Sequence, residues 1–408
     1  MRVLFVTPFL PSPPRFGGQR RLDGLMRSLA KSHEVSVVSF NASDEFEQAS
    51  LDATRDYCKH VVTFRDLEFK DARKKRLLQA ASMLSPRSFE HHLMVRHGDF
   101  SKRLRALVGT GEFDIVQVEF AQMAAFSFDL PKDRRFRTVL DEHNIEYDIV
   151  RRTAEGQTSS GRRLYAAVDW RKLKLEERRA WRRLDGVAVT SDRDAEVLRQ
   201  EEPNTELAVV PNGVDVLEFQ PSAAPSDESA NDLLFFGAMN YFPNSDGILD
   251  FVKNTWPLIL ARRPKTKLWI VGPGADDLMH LRGPNVEVTG FVDQIGPYIE
   301  RAAAVVVPLR LGGGTRLKIV EAMAKAKAIV STRIGAEGID VIDGQHALLA
   351  DEPQAFADQV ERVLSNRQLA IDLGKAARQL AVDRYSWPAV VSRLERFYDK
   401  LLSQPPKR

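Results

Sequence analysis

Leu311-Gly312-Gly313-Gly314-Thr315-Arg316-Leu317-Lys318-Ile319-Val320-Glu321-Ala322-Met323 is the stretch from which the rest of this chain is read. An apolar run, Ala304 to Leu309, precedes it and has the pattern of a buried strand. Apolar residues then recur at Leu317, Val320 and Ala324, the spacing of one helix face. Three glycines before a helix start let a ligand approach the backbone, because no Cβ stands in the way. The first N–H groups of that helix lack internal partners and carry partial positive charge, so an anion is favoured there. Arg316 and Lys318 add two full charges at the same spot, and Glu321, one turn on, is an acceptor for a hydroxyl. An anion receptor, a cation pair and a hydroxyl acceptor together are what a nucleotide sugar requires. A plain flexible loop would account for the glycines but not for the spacing of Arg, Lys and Glu.

The bulk numbers narrow the field. A chain of 408 residues is too long for one ordinary core and predicts two domains. A net charge of +3 argues against a nucleic-acid partner. Cys58 is the single cysteine, so no intrachain disulfide forms, which fits a reducing compartment. The run Val3 to Leu10 contains Pro8 and lacks the cleavage pattern of a signal peptide. No apolar stretch approaches the roughly twenty residues of a membrane span. The expectation is a cytoplasmic protein. Residues 70–105, with Arg73-Lys74-Lys75-Arg76 beside Leu77, Leu78, Met83 and Leu84, are the candidate for peripheral contact with an anionic membrane. A solvated charged face is the competing reading of that run.

From the amino terminus, Arg2 to Thr7 reads as a buried strand, Gln19 to Ser32 as a helix and Glu34 to Phe40 as a second strand. This unit puts Gly17 and Gly18 at the carboxyl end of the first strand, where open α/β sheets bind ligands. Asp114 to Glu119 and Thr138 to Asp141 read as further strands, the second running into Glu142-His143-Asn144. A histidine there sits at the functional rim of the sheet or in a turn capping the next helix. Arg162 to Arg183 reads as a long helix packing through Leu164, Val168, Leu173, Leu175 and Trp181. Asp192-Arg193-Asp194 formally matches a DxD metal signature, but capping by Ser191 explains both acids, and no metal is assigned.

Residues 216–232 have linker composition. A second strand–helix cycle follows, with strands at Leu233 to Gly237, Lys267 to Gly272, Val286 to Gly290, Ala304 to Leu309 and Ala328 to Ser331. The fold class is therefore α/β. It has two doubly wound parallel-sheet domains, 1–215 and 233–385, facing a cleft.

The ordered set of motifs resembles glycosyltransferase family 4, the retaining GT-B enzymes, and within it the bacterial exopolysaccharide and cell-surface glycan type. The set comprises Gly17-Gly18, Asp141-Glu142-His143-Asn144, Val210-Pro211-Asn212-Gly213-Val214-Asp215, Phe236-Gly237 with Pro243-Asn244, Thr289-Gly290-Phe291-Val292, Gly313 to Lys318, Glu321-Ala322-Met323-Ala324 and Gly335-Ala336-Glu337-Gly338. The resemblance implies a hexosyltransferase with two Rossmann-like domains, the acceptor on the first and the nucleotide sugar on the second. It implies a last helix, 386–403, that returns to the first domain, and no essential metal or cofactor. It implies that His143, Arg316 and Lys318 are catalytic. The implied donor-binding set is Gly18, Gly237, Val292, Gly313, Gly314, Thr315, Leu317 and Glu321, with Gly17 and Asn144 on the acceptor side. Within it Glu321 meets the ribose, Val292 lies near the base and His143 approaches the transferred sugar. UDP is the expected nucleotide, GDP the next, and the acceptor a glycan, a glycolipid or other lipid-linked acceptor, or a small molecule.

Two departures stand out. The family often carries two glutamates eight positions apart, and the earlier position here is Gly313. The family also commonly has an Arg and a Lys in the loop after the second domain's first strand, but Ala238 to Asn244 has neither. Arg316 and Lys318 are expected to supply the displaced cations. Rival readings are a sugar-nucleotide epimerase on the same plan and a catalytically weak nucleotide-sugar-binding subunit. A nicotinamide oxidoreductase is disfavoured, because Gly272-Pro273-Gly274 continues to Asp277 where its fingerprint needs glycine.

Overall fold

The computed structural model describes every residue except 42–46, 66–71, 90–97, 129, 132, 156–159, 222–230, 313–314 and 408. Among the described residues the chain divides into two compact units, Met1–Pro211 with Val390–Arg408, and Asn212–Ala389. Most of the expected 216–232 linker, and Gly313 and Gly314, lie outside the described residues.

The first unit is a parallel sheet of β1 (Arg2–Thr7), β2 (Glu34–Asn41), β3 (His60–Arg65), β4 (Ile115–Glu119), β5 (Arg137–Glu142), β6 (Gly186–Val189) and β7 (Leu207–Val209). Their order is β3-β2-β1-β4-β5-β6-β7. Continuous apolar runs form the centre because helices cover both faces: β4 is buried at every position. No apolar run or alternation announces β3, an edge strand whose residues 61–64 are only half-buried. In the long helix Ser160–Arg183, Leu173 and Trp181 are buried as expected, but Leu164 and Leu175 are exposed. A charged helix packed along one stripe leaves its other leucines in water.

The carboxyl-terminal helix, Trp387–Leu402, places its residues from Val390 onward in this first unit. Gly186 makes room for it: a Cβ there would lie 2.6 Å from Phe397 and 2.8 Å from Leu401. Arg137 Nε donates to the carbonyls of Leu401 (3.1 Å) and Gln404 (2.9 Å), and His33 bonds Glu395 at 2.8 Å.

The second unit repeats the plan with β8 (Leu233–Phe236), β9 (Leu268–Val271), β10 (Val286–Gly290), β11 (Ala304–Val307), β12 (Ala328–Ser331) and the two-residue β13 (Leu348–Leu349). The order is β10-β9-β8-β11-β12-β13, again all parallel. The expected helix 244–262 is interrupted by a π-helical turn, Phe251–Thr255, ahead of Pro257. Proline lacks the N–H that would continue the ladder. In both sheets the strand order reverses between the first and fourth strands of the unit. The carboxyl ends there are where doubly wound sheets bind ligands.

Candidate functional site

In the first unit, the ends of β4 and β5 carry Glu119, Asp141, Glu142 and His143, all buried. Arg21, on the helix Gly17–Leu29, reaches under them. It donates to both oxygens of Asp141 (3.0 and 2.8 Å) and to the carbonyls of Pro211 and Val210 (both 2.9 Å). His143 Nε2 lies 2.7 Å from Glu119 Oε2, and Gln117 Nε2 donates to Glu119 Oε1 at 2.6 Å. Burial holds His143 far below its usual range, at about 3, so its ring is neutral at physiological pH. Burial also lifts Glu119 to about 7, against the hydrogen bond from Gln117 and the charge of Arg21. The contact between them is therefore a hydrogen bond to a neutral imidazole and not an ion pair. Glu119, Asp141 and His143 lie close enough together to ligate a metal. Arg21, Gln117 and the imidazole already occupy their oxygens, so the cluster is a closed network.

The backbone beyond His143 is fixed independently. Thr190 Oγ1 donates to the His143 carbonyl at 3.1 Å. Glu177 caps the following helix, Glu146–Glu155, by accepting from the N–H of Glu146 (2.7 Å) and Tyr147 (3.2 Å). The capping alternative for the His-Asn turn thus belongs to Glu177. Asn144 is half-buried and donates weakly to Glu146, at 3.4 Å. Ser191 caps the next helix through Asp194 N, which accounts for the DxD match.

Gly17 and Gly18 open their helix at the carboxyl end of β1. A Cβ on Gly18 would fall 3.2–3.3 Å from the rings of Phe16, Phe120 and Phe9. Phe120 stacks on His143 with ring centroids 3.8 Å apart. Its backbone lies at φ 65, ψ 143, a conformation that side chains other than glycine's rarely adopt.

In the second unit, Arg316 caps the helix Leu317–Ala324 and is buried, as are Thr315, Lys318 and Glu321. The Lys318 ammonium donates to Asn244 Oδ1 at 2.7 Å and stands 4.2 Å above the ring of Phe235. Gly237, with φ 146, leaves the space: a Cβ there would sit 3.0 Å from Lys318 Nζ. Burial, and then the nearby Arg316, lower Lys318 to about 7, while Glu321 opposes the shift. Leu317 is half-buried, and so is Val292, just beyond β10. The first unit thus gathers His143, Asn144, Gly17 and Gly18, and the second gathers Gly237, Thr315, Arg316, Lys318 and Glu321. Val292 follows β10, the edge strand of its sheet.

The sequence of residues 17–217 matches the family model described as Glycosyltransferase Family 4, and residues 230–366 match that of Glycosyl transferases group 1. The chain belongs to glycosyltransferase family 4. Among curated family relatives, the phosphatidyl-myo-inositol mannosyltransferase of Mycobacterium tuberculosis is 32% identical over 48% of this chain and 55% of its own length. An uncharacterized glycosyltransferase of Methanocaldococcus jannaschii is 29% identical over 27% of this chain and 31% of its own length. The matches thus span about half, or less, of these relatives.

Solved structures match nearly the whole chain in fold. Sucrose-phosphate synthase from Thermosynechococcus elongatus superposes with a TM-score of 0.73 at 18% identity, covering 99% of this chain and 100% of that one. HepE of Anabaena, solved with UDP, superposes with a TM-score of 0.68 at 15% identity, covering 98% and 100%. These likenesses establish the two-domain GT-B fold.

Sequence reasoning missed Arg21, Gln117, Glu119 and Tyr398. Arg21 follows Arg20 and looks like a solvated pair. Gln117 and Glu119 carried a signal: two polar residues at i and i+2 in a fully buried strand point to the same face and need a shared partner.

Proposed function

We propose that this chain moves a sugar from a nucleotide-diphosphate sugar to a hydroxyl of a glycan, glycolipid or small-molecule acceptor, keeping the anomeric configuration and needing no metal ion. UDP is the preferred nucleotide, with GDP second. The observation that carries the reading is the position of Lys318. Its ammonium lies against Gly237 and Asn244, in the very loop that lacks the family's usual Arg and Lys. The cation is supplied to the same place from a different element. HepE has been solved with UDP and with UDP-glucose, which supports a nucleotide-sugar donor.

In this reading Arg316, Lys318 and the first N–H groups of Leu317–Ala324 take up the charge that develops on the diphosphate as the sugar–phosphate bond breaks. Glu321 accepts from the ribose, Val292 lies by the base, and His143 hydrogen-bonds the transferred sugar. The acceptor hydroxyl attacks from the face the diphosphate leaves. A phosphate oxygen takes its proton, so no side-chain base is required. The donor's thermal shift across a panel of nucleotide sugars, followed by a transfer assay, tests the whole reading. Binding with transfer supports it, donor conversion without acceptor points to an epimerase, and binding without either points to a weak subunit, to which Gly313 would be the clue.

Among the described residues no helix is long and apolar enough to cross a membrane. In the basic stretch 70–105, residues 70, 71 and 90–97 and the side chains of 72–76, Arg73-Lys74-Lys75-Arg76 among them, lie outside the described residues, while Leu77 and Leu84 are exposed. Those leucines beside a basic run support contact with an anionic bilayer carrying the acceptor. Flotation with phosphatidylglycerol vesicles, lost in Leu77→Ser/Leu84→Ser, is the expected result.

A further inference from the structure

Behind His143, four side chains form one line of hydrogen bonds that ends on the carboxyl-terminal helix. The Tyr398 hydroxyl donates to Gln117 Oε1. Gln117 Nε2 donates to Glu119 Oε1 at 2.6 Å, and Glu119 Oε2 meets His143 Nε2 at 2.7 Å. Tyr398, Gln117 and Glu119 are all 0% exposed. Burying three polar side chains where a helix packs on a sheet is costly unless each is satisfied, and here each satisfies the next. The line has a direction. A primary amide has one accepting end and one donating end. With the tyrosine hydroxyl on its oxygen, the Gln117 amide must turn its NH2 toward Glu119. Glu119 Oε1 is then an acceptor, and any proton shared with His143 lies between Oε2 and Nε2. With Glu119 ionised, Nε2 carries the hydrogen and Nδ1 keeps a lone pair. With Oε2 protonated, the imidazole presents the opposite tautomer.

We propose that Tyr398 is a positioning residue for His143, its hydroxyl fixing the Gln117 amide and, through Glu119, the tautomer and plane of the imidazole. The catalytic meaning of this relay rests on the reading of His143 as the group that meets the transferred sugar. The relay itself does not. Other groups face the same spot. Asp141 Oδ2 is 4.0 Å from His143 Nε2, Arg21 neutralises Asp141 from the helix beneath, and Phe120 covers the ring. Glu142 turns away, accepting from Trp181 Nε1 at 2.8 Å. None of these touches the Gln117 amide, whose oxygen is held by the tyrosine and whose NH2 is held by Glu119. The carboxyl-terminal helix is thereby more than a strap. Its seating on the first unit is transmitted to the histidine.

Long-range 15N–1H correlation spectra of the full chain, labelled at histidine, test this directly, the His143 signals being identified by their loss in His143→Gln. The expected result is a single tautomer in the native chain and a mixture in Tyr398→Phe, where the amide is released to turn over. Gln117→Met, which breaks the relay without removing the tyrosine, gives the same mixture and stands in if Tyr398→Phe does not fold. Lys400→Met, which removes the contact of the same helix with Glu206, leaves the His143 signals unmoved. In the transfer assay both relay variants lower kcat several-fold with little change in donor KM. An unchanged His143 tautomer in a folded Tyr398→Phe or Gln117→Met variant overturns the proposal. A shifted tautomer with unchanged transfer leaves the relay standing and overturns instead the reading of His143 as a sugar contact.

Discussion

The carboxyl ends of the two sheets have the same topology and opposite electrostatics. In the first unit the ionisable groups answer one another: Arg21 takes both oxygens of Asp141, and Glu119 is shared between Gln117 and His143. In the second unit two cations, Arg316 and Lys318, are buried side by side at a helix start, and Lys318 faces an amide, Asn244, in place of a carboxylate. The first arrangement holds side chains in place. In the proposed reading the second also takes an anion, a diphosphate whose charge would favour the ammonium that burial disfavours, alongside the nearby Glu321.

Removing cations should therefore act differently in the two units. Arg316→Ala or Lys318→Met lowers kcat/KM for transfer by ten-fold or more, since an oriented donor to developing charge is worth about 3 kcal/mol. Lys318→Met gives up the bond to Asn244 but spares the cost of burying the ammonium, so it keeps or raises the melting temperature at pH 7. Arg21→Met does the reverse: it leaves Asp141 buried without its cation and costs about 3–5 kcal/mol in urea unfolding. Equal destabilisation by Arg21→Met and Lys318→Met would erase the contrast.

The pH dependence of stability sharpens it. Burial holds Lys318 at about 7 in the folded chain, against the usual lysine value of 10.5. Between those values the unfolded chain binds the proton and the folded chain does not. Stability then rises with pH, by up to about 1 kcal/mol per unit from this group. Urea unfolding at pH 7 and pH 9 should show a rise in the native chain that is smaller in Lys318→Met.

A smaller effect tests the strained rim of the first unit. Phe120 has φ 65, so alanine there keeps the strain while glycine releases it. Phe120→Gly should be more stable than Phe120→Ala by about 1 kcal/mol, the opposite of the usual order in a chain. Thermal unfolding of the two variants side by side measures it.

Much of this was legible in the sequence. Apolar runs marked the central strands, and the Gly-Thr-Arg-Leu-Lys stretch marked the helix start with its cations and Glu321. What the sequence hid was long-range pairing. Arg21 meets Asp141 across 120 positions, and Tyr398 meets Gln117 across 281. No local pattern encodes such partners, because they depend on which strands and helices become neighbours. Edge elements were missed for a related reason. β3 and β13 are short or half-buried, so neither a continuous apolar run nor a clean alternation announces them. The contact of Lys318 with Gly237 was also invisible: the sequence placed Lys318 on a helix start, but only the fold brings its ammonium to Asn244.

Calorimetric titration of UDP-glucose into the native chain and Lys318→Met at pH 8, in two buffers of different ionisation enthalpy, tests the central claim most directly. A diphosphate beside Lys318 favours the ammonium. The native chain should take up a proton on binding, and Lys318→Met should bind at least ten-fold more weakly without that uptake. Equal affinities and no proton uptake in either would place the diphosphate elsewhere.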